Sequence, residues 1–139
     1  MKNRSIVFAL ALSIGLFATS CNNDDNEGET LAPLTGKWNL SQVGTTLNGQ
    51  EQLMNAPQNQ NGCEKDYIYL KIDNTITDGD YDSSVSPCKL DITEGIYSRS
   101  HNNLTTVIDN VTKTQDIVNL SLKELKLRDS DGVITIYTR

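Results

Sequence analysis

The chain has 139 residues, of which 12 are Lys or Arg and 18 are Asp or Glu, and its formal net charge is −6 at pH 7. This length suits one small domain. An acidic surface repels phosphate backbones and anionic headgroups, so we expect no nucleic-acid partner and no electrostatic docking to a membrane.

The first twenty residues have the composition of a cleaved export signal. Lys2 and Arg4 precede about thirteen apolar residues, 6–18, which are too few for a stable transmembrane helix but within the range of a signal-peptide core. The next residues, ATSC at 18–21, resemble a bacterial lipobox, in which cleavage occurs before a cysteine that carries diacylglycerol. The resemblance implies a lipoprotein whose mature N-terminus is Cys21. The alternative is an ordinary signal peptide followed by an unrelated cysteine.

Residues 21–33 are expected to form a lipidated, flexible, acidic tether of roughly 15 to 20 Å, because most of this segment lacks large apolar side chains. Its four acidic residues resemble the surface-export signal of Bacteroidetes-type lipoproteins: Asp24, Asp25, Glu27 and Glu29. The resemblance implies a protein anchored by lipid to the bacterial outer membrane, with its surface leaflet as a further expectation. The alternative is a solvated linker without a routing role.

Short strands are predicted throughout the rest of the chain, because apolar and polar residues alternate with the period of two of a half-buried strand. Ile68, Leu70 and Ile72 are predicted to share the inward face of one strand, and Leu90 and Ile92 that of another. In a third strand, the apolar pair Leu125 and Leu127 alternates with Glu124, Lys126 and Arg128. The strands predicted in this way are 67–73, 89–98, 103–109, 111–120, 124–128 and 133–138. Many short strands and no convincing helix indicate an all-β barrel or sandwich.

Two connections have distinct compositions. Asp131 and Gly132 precede the last predicted strand, and this pair supplies the positive φ of a tight hairpin. Residues 51–62, EQLMNAPQNQNG, are too polar to pack and too long for a tight turn. We expect them to form a long loop, which is either a lid over a barrel mouth or a tolerated insertion.

Cys63 and Cys88 are the two cysteines of the predicted domain. In an exported protein they should form a disulfide. Closing the 26 residues that they bracket would stabilise the fold by roughly 3.5 kcal/mol on the chain-entropy estimate. A metal site is the alternative, but two separated cysteines with only His101 to help have no recognisable zinc spacing.

The segment that contains Gly36 and Trp38 resembles the Gly-x-Trp of the first strand of lipocalins. In that family the tryptophan plugs the barrel floor, and an arginine that follows the last strand packs across the indole, a position that Arg139 fits. The resemblance extends over about residues 34–139, and its order of motifs is similar to that of the lipocalin-like lipoproteins of Bacteroidetes. It implies a small antiparallel up-and-down barrel of about eight strands. The chain departs from the family at Gly95-Ile96-Tyr97, where a second Gly-x-Trp is common.

No pattern of catalytic residues is evident, and we expect neither an enzyme nor a cofactor. His101 lies in an apparent polar turn, 99–103, which is a poor position for a Ser-His-Asp arrangement. The acidic residues of 78–82 resemble the start of a calcium loop, but Ser83 stands where glycine is needed and Lys89 where glutamate is needed. A solvated acidic hairpin is the expectation there, with no metal.

Two classes of function remain. As a binding module, the barrel would hold a small apolar ligand in its open mouth, which requires a pocket of roughly 300 Å³ or more. The expected lining residues are Leu70, Ile72, Leu90, Leu104 and Ile108. As an interaction lipoprotein, a monomeric barrel with a filled core would contact envelope or extracellular components through its surface, since eight-stranded barrels occur in both forms.

Overall fold

The computed structural model describes residues 33–57 and 62–139. The predicted signal, Cys21 and the tether up to residue 32 lie outside the described residues. The described part contains nine strands and no helix, so none of its elements is a helix long enough to cross a membrane. The strands are β1 (Gly36–Leu47), β2 (Gln50–Asn55), β3 (Tyr67–Leu70), β4 (Thr75–Asp82), β5 (Lys89–Ser100), β6 (Asn103–Ile108), β7 (Val111–Leu120), β8 (Glu124–Arg128) and β9 (Val133–Thr138).

Eight of the strands close into an antiparallel barrel. The order is β1-β3-β4-β5-β6-β7-β8-β9, and β9 pairs back onto β1, while β2 pairs only with β1. Closure removes the free edges that an open sheet would expose. The prediction of an all-β up-and-down barrel of about eight strands is therefore confirmed.

The barrel has two distinct ends, which we call the floor end and the mouth end. Gly36 begins β1 at the floor end, where it pairs with Leu70, the last residue of β3. The turns at 71–74, 101–102 and 121–123 lie at the same end. The mouth end carries the β4–β5 loop, the β6–β7 turn and the β8–β9 turn, in which Gly132 has the predicted positive φ of 80°.

The barrel interior is filled around Trp38, which is fully buried. Alternate residues of each strand point inward, as the pleat requires. The predicted inward pair Leu125 and Leu127 is confirmed, with exposed fractions of 0% and 2%. The other buried members of this core are Leu34, Ile68, Leu70, Ile76, Tyr97, Leu104 and Ile117.

The prediction that residues 51–62 form one loop is wrong for its first part. Residues 50–55 form β2, whose six residues are all exposed, so no apolar alternation marks this strand in the sequence. β2 curls over the outer face of β1. The two backbones are so close there that a Cβ added at Gly44 would collide with the carbonyl oxygen of Gln52. Glycine at this position permits the close approach of the two backbones.

This curl buries a second, smaller set of apolar residues on the outside of the barrel. Ile134 and Ile136 are 0% and 6% exposed, yet both lie outside the interior core. Their neighbour Tyr137 packs against that core, which places the two isoleucines on the outer face of β9. Lys126 of β8 forms an ion pair with Glu51 of β2 across this face. The hairpin therefore covers the outer surface of β8 and β9.

The predicted acidic hairpin at 78–82 is also wrong, because these residues belong to β4. Asp78 pairs with Ile68 on one side and with Thr93 on the other. Alternation therefore places Asp78 on the inward face together with Ile76. The acidic residues of this segment thus enter the barrel wall, and the turn begins only at Asp82, which accepts hydrogen bonds from Ser84.

Candidate functional site

The floor of the barrel is formed by the indole of Trp38 and the guanidinium of Arg139. The guanidinium carbon lies 3.9 Å from the centre of the indole ring, which is a cation–π distance. Trp38 Nε1 donates a hydrogen bond to the carbonyl of Leu34 at 2.8 Å. The structure thus brings Trp38 and Arg139 together as the resemblance implied.

Three backbone carbonyls hold the Arg139 side chain in this position. Its Nε donates to Leu122 at 2.8 Å, its Nη1 to Thr35 at 3.0 Å and its Nη2 to Pro33 at 3.1 Å. Gly36 leaves room for the guanidinium, because a Cβ there would lie 2.8 Å from Nη1. The φ of Gly36 is +130°, a conformation that side chains disfavour. The arginine closes this end and joins the segment before β1 to the turn after β7.

A cavity of about 130 Å³ lies inside the barrel between this floor and the mouth. Five apolar residues line it: Ile68, Ile76, Leu104, Ile108 and Leu127. Five polar residues line the rest: Asp78, Thr106, Lys113, Gln115 and Tyr137. The cavity is therefore smaller and more polar than the apolar pocket of roughly 300 Å³ or more that we expected for a small apolar ligand, so that expectation is wrong.

The predicted lining residues divide into two groups. Leu104 and Ile108 line the cavity, and Leu70 is fully buried in the core beside Trp38. Ile72 is 89% exposed, because β3 ends at Leu70 and the chain turns there. The expectation that Ile72 points inward is wrong.

The prediction that Leu90 and Ile92 point into the barrel is also wrong. Ile92 pairs with Gly79, next to the inward-facing Asp78, so Leu90 and Ile92 belong to the outer face of β5. Ile92 is 55% exposed. The inward positions of β5 are taken by Thr93, Gly95 and Tyr97, because alternation alone does not say which face is inside.

The carboxylate of Asp78 is the main charge in the cavity wall. Burial raises the pKa of Asp78 above its usual value, and the nearby negative charges of Asp80 and Asp66 raise it further. Burial also raises the pKa of the Tyr137 hydroxyl, to which Asp78 and Asp66 contribute. The mouth side of the cavity is therefore a region of negative potential, in which Asp78 is still exposed to solvent.

Lys113 is the one cation among the cavity-lining residues. Its Nζ lies 3.8 Å from a carboxylate oxygen of Asp129, in the β8–β9 turn at the rim. Lys113 is not among the groups that shift the pKa of Asp78. The Lys113 ammonium thus pairs with Asp129 at the rim rather than with Asp78.

The rim on the opposite side is held by the predicted disulfide. Cys63 and Cys88 are bonded, with their Cα atoms 5.6 Å apart, which confirms the pairing. The bond joins the segment before β3 to the β4–β5 loop. The Tyr81 amide also donates to Asp66 at 2.9 Å and its hydroxyl to Glu64 at 3.0 Å, so this part of the rim is tied to the wall.

No catalytic grouping forms around His101. It lies in the β5–β6 turn at the floor end with a φ of 54°, far along the barrel from Asp78. Across residues 33–57 and 62–139, no group of three or more His, Cys, Asp or Glu side chains is arranged to hold a metal ion.

A wider, shallow depression beside Ile72 lies on the outside of the floor end and encloses no buried polar group.

Sequence reasoning missed the polar half of the cavity. Asp78 lies two residues after the apolar Ile76, so the two side chains point to the same face once β4 is recognised as a strand. For Tyr137 the sequence pattern was misleading, because it favoured the opposite face of β9 as the inward one. Ile134 and Ile136 resemble the buried face of β9, and only the covering hairpin explains why they lie outside the barrel.

A closed antiparallel barrel with a tryptophan–arginine floor at one end and a cavity towards the other is a lipocalin-like barrel. The chain belongs to the family described as the lipocalin-like domain, which matches residues 34–127.

Two solved structures share this fold. One is a lipocalin-like protein from Bacteroides uniformis ATCC 8492, with a TM-score of 0.57 and 15% identity over 76% of this chain and 97% of that chain. The other is an uncharacterized protein from Bacteroides eggerthii DSM 20697, with a TM-score of 0.56 and 10% identity over 77% of this chain and 100% of that chain. No curated protein matches the sequence significantly. At these identities the likeness concerns the fold.

Proposed function

We propose that this protein is a membrane-anchored lipocalin-like lipoprotein that binds a small ligand inside its barrel. The observation that carries the proposal is the cavity of about 130 Å³ above a floor closed by Trp38 and Arg139. A barrel closed at one end admits a ligand only from the other. The lining offers both an apolar wall and polar groups that fix orientation, as binding sites for small molecules commonly do.

The cavity volume sets the size of the ligand. Since a water molecule occupies about 30 Å³ in the liquid, the cavity has the volume of about four waters. Leu104 and Leu127 are almost fully buried in its wall and give an apolar part of the ligand a surface to contact. We therefore replace the expected small apolar ligand with a still smaller molecule that has both apolar and polar parts.

The position of the first described residue supports access to the mouth. Pro33 lies at the floor end, where its carbonyl accepts a hydrogen bond from Arg139. In the proposed lipoprotein the acidic tether from Cys21 joins the barrel at Pro33, so the barrel is attached to the membrane through its floor end. The mouth is at the opposite end from this attachment, so the lipid anchor leaves it accessible to a ligand.

A matched pair of substitutions tests the binding site. Thr106 lines the cavity, whereas the adjacent Thr105 points to the outer face, where its hydroxyl contacts that of Thr114 at 3.0 Å. Thr106→Phe fills the cavity and is expected to abolish uptake of small amphipathic molecules, while Thr105→Phe is expected to leave uptake intact. Ligand-observed NMR on variants shown to be folded by circular dichroism measures this. Equal uptake by the two variants, or no uptake by the unmodified protein, contradicts the proposal.

The second candidate is a surface-interaction lipoprotein. The small cavity favours it, as do Ile92 and Ile96, which are 55% and 59% exposed on the outer face of β5. Cross-linking of the native lipoprotein at these residues, compared with Ile92→Lys, tests it. A specific cross-linked protein that the lysine variant loses would support this candidate over ligand binding.

A further inference from the structure

The cavity places one carboxylate opposite an apolar wall. Asp78 lines the cavity together with Leu104, Ile108 and Leu127, and it remains open to solvent towards the mouth. Asp66 and Asp80 lie close enough for their charges to act on Asp78, and the one lining cation, Lys113, is directed towards Asp129. A neutral ligand makes no charged contact with this carboxylate, a cation is attracted to it, and an anion is repelled.

Tyr137 supplies a second polar group in the same cavity, independent of the acidic residues. It lies on the inward face of β9 with its ring packed against the core, and burial dominates the environment of its phenol. Among the described residues, no hydrogen bond to its hydroxyl is present, and the hydroxyl oxygen is not sealed from solvent, because Tyr137 is only half-buried and the buried side-chain oxygen without a partner is that of Thr46. The hydroxyl oxygen is thus free to accept a hydrogen bond from a ligand in the cavity.

We propose, as a refinement that rests on the proposed function, that the ligand is a small organic cation, a short primary alkylammonium, whose nitrogen lies between the Asp78 carboxylate and the Tyr137 hydroxyl. Three N–H donors match these two acceptors and leave one for water at the mouth. The alkyl chain contacts Leu104 and Leu127. The cavity volume of about 130 Å³ limits that chain to about three or four carbons, since the whole site has the volume of about four waters and each methylene takes up about as much space as one water.

A metal ion fits this site less well. Hard cations require about six oxygen ligands, whereas the cavity-lining groups include a single carboxylate and have an apolar half. The apolar half has no role in binding an inorganic ion, but it does contact an alkyl chain. The combination of one carboxylate, one hydroxyl and an aliphatic wall is what selects an amine.

Three probes of similar shape on the unmodified protein test the proposal: n-butylammonium, n-butanol and butyrate. Isothermal titration calorimetry at constant ionic strength is expected to show n-butylammonium binding about tenfold or more tightly than n-butanol, because the charged hydrogen bond is formed only by the amine. Butyrate is expected to show no binding. Asp78→Asn should remove the preference for the amine, and Tyr137→Phe should weaken amine binding severalfold.

Glu94→Gln is the matched control, because it removes the same charge from the outer face, where Glu94 pairs with Lys71 at 3.5 Å. It should keep the preference. Equal affinity for the amine and the alcohol, or an unchanged preference in Asp78→Asn, overturns the cation proposal while ligand binding stands. If none of the three probes binds and Thr106→Phe alters nothing, the proposed function fails as well. The probe comparison on the unmodified protein decides the matter even where a variant does not fold.

Discussion

The guanidinium of Arg139 lies 3.9 Å above the indole of Trp38 and is held there by hydrogen bonds to three backbone carbonyls. Arg139, which follows the last strand, therefore closes the barrel at the end where β1 begins. Because Trp38 is fully buried, the arginine covers one face of the largest side chain in the core.

Arg139→Ala is expected to lower the free energy of unfolding by about 1 to 2 kcal/mol, since it removes a cation–π contact and charged hydrogen bonds at a partly solvated site. Urea denaturation followed by Trp38 fluorescence measures the change. Arg128→Ala is the control, because Arg128 forms only an exposed ion pair with Asp116 at 3.8 Å, and such pairs contribute about 0 to 1 kcal/mol. Equal losses in the two variants would show that the floor contact has no special weight.

Gly36→Ala tests the fit between the glycine and the arginine. We expect a loss of at least about 2 kcal/mol, because the φ of +130° strains alanine and its Cβ displaces the guanidinium. In an Arg139→Ala background the same change should be less costly, since only the backbone strain remains. A double-mutant cycle by chemical denaturation measures this coupling. Strict additivity would contradict direct contact between the two positions.

The disulfide gives a prediction about the rim. Replacing both Cys63 and Cys88 by serine should reduce stability by about 3.5 kcal/mol, from the chain entropy of the 26-residue loop. Thermal unfolding by calorimetry, with the reduced unmodified protein as the matched comparison, measures the loss. Thiol titration of the unfolded, unreduced domain should find both cysteines blocked. An unchanged midpoint would show that the bond does not stabilise the fold.

Ile134 and Ile136 are buried on the outside of the barrel, although sequence alone would assign them to its interior core. Ile134→Ala should destabilise the fold by about 2 to 4 kcal/mol, because Ile134 is fully buried under the β1–β2 hairpin. Ile92→Ala, on the exposed outer face of β5, should change stability by less than about 1 kcal/mol. Urea denaturation of both variants checks the difference. A small effect at Ile134 would mean that the hairpin does not cover β9 in solution.

The raised pKa of Asp78 predicts a pH dependence of stability. Burial, together with Asp80 and Asp66, disfavours the charged carboxylate in the fold, so the unmodified protein gains stability as this group becomes protonated and loses it as the pH rises through the raised pKa. Asp78→Asn should therefore be more stable than the unmodified protein at pH 7. The difference should vanish below about pH 4, the ordinary pKa of aspartate. Glu94→Gln is the control, and a pH-independent gain in Asp78→Asn would contradict this origin.

Some features of this protein could be predicted from local sequence, because their causes are local. Period-two alternation in 124–128 identified β8 and its inward pair Leu125 and Leu127. The Asp-Gly pair identified the β8–β9 turn, since glycine tolerates the positive φ at Gly132. The pairing of Cys63 with Cys88 followed from their number and the exported context.

The two strands that the sequence did not reveal have a common cause. β2 has no buried residue, so it has no apolar alternation to detect. β4 carries three aspartates, which are rare inside barrels, and their turn-like composition outweighed the apolar residues beside them. Both strands are specified by the partners with which they pair, which are distant in sequence.

The sequence by itself determined most of the strands and the turn at Gly132, because each depends on short-range chemistry. The floor residues Trp38 and Arg139, which lie far apart in the chain, followed from the resemblance to lipocalins. Only the tertiary structure decided which face of a strand lies inside. Ile92 and Ile134 both lie in strands where apolar and polar residues alternate, yet Ile92 is exposed and Ile134 is buried outside the barrel. A shift of one residue exchanges the two faces without changing the pattern, so burial depends on what the rest of the chain packs against each face. The small, half-polar cavity is decided in the same way, by side chains from separate strands that meet only once the barrel closes.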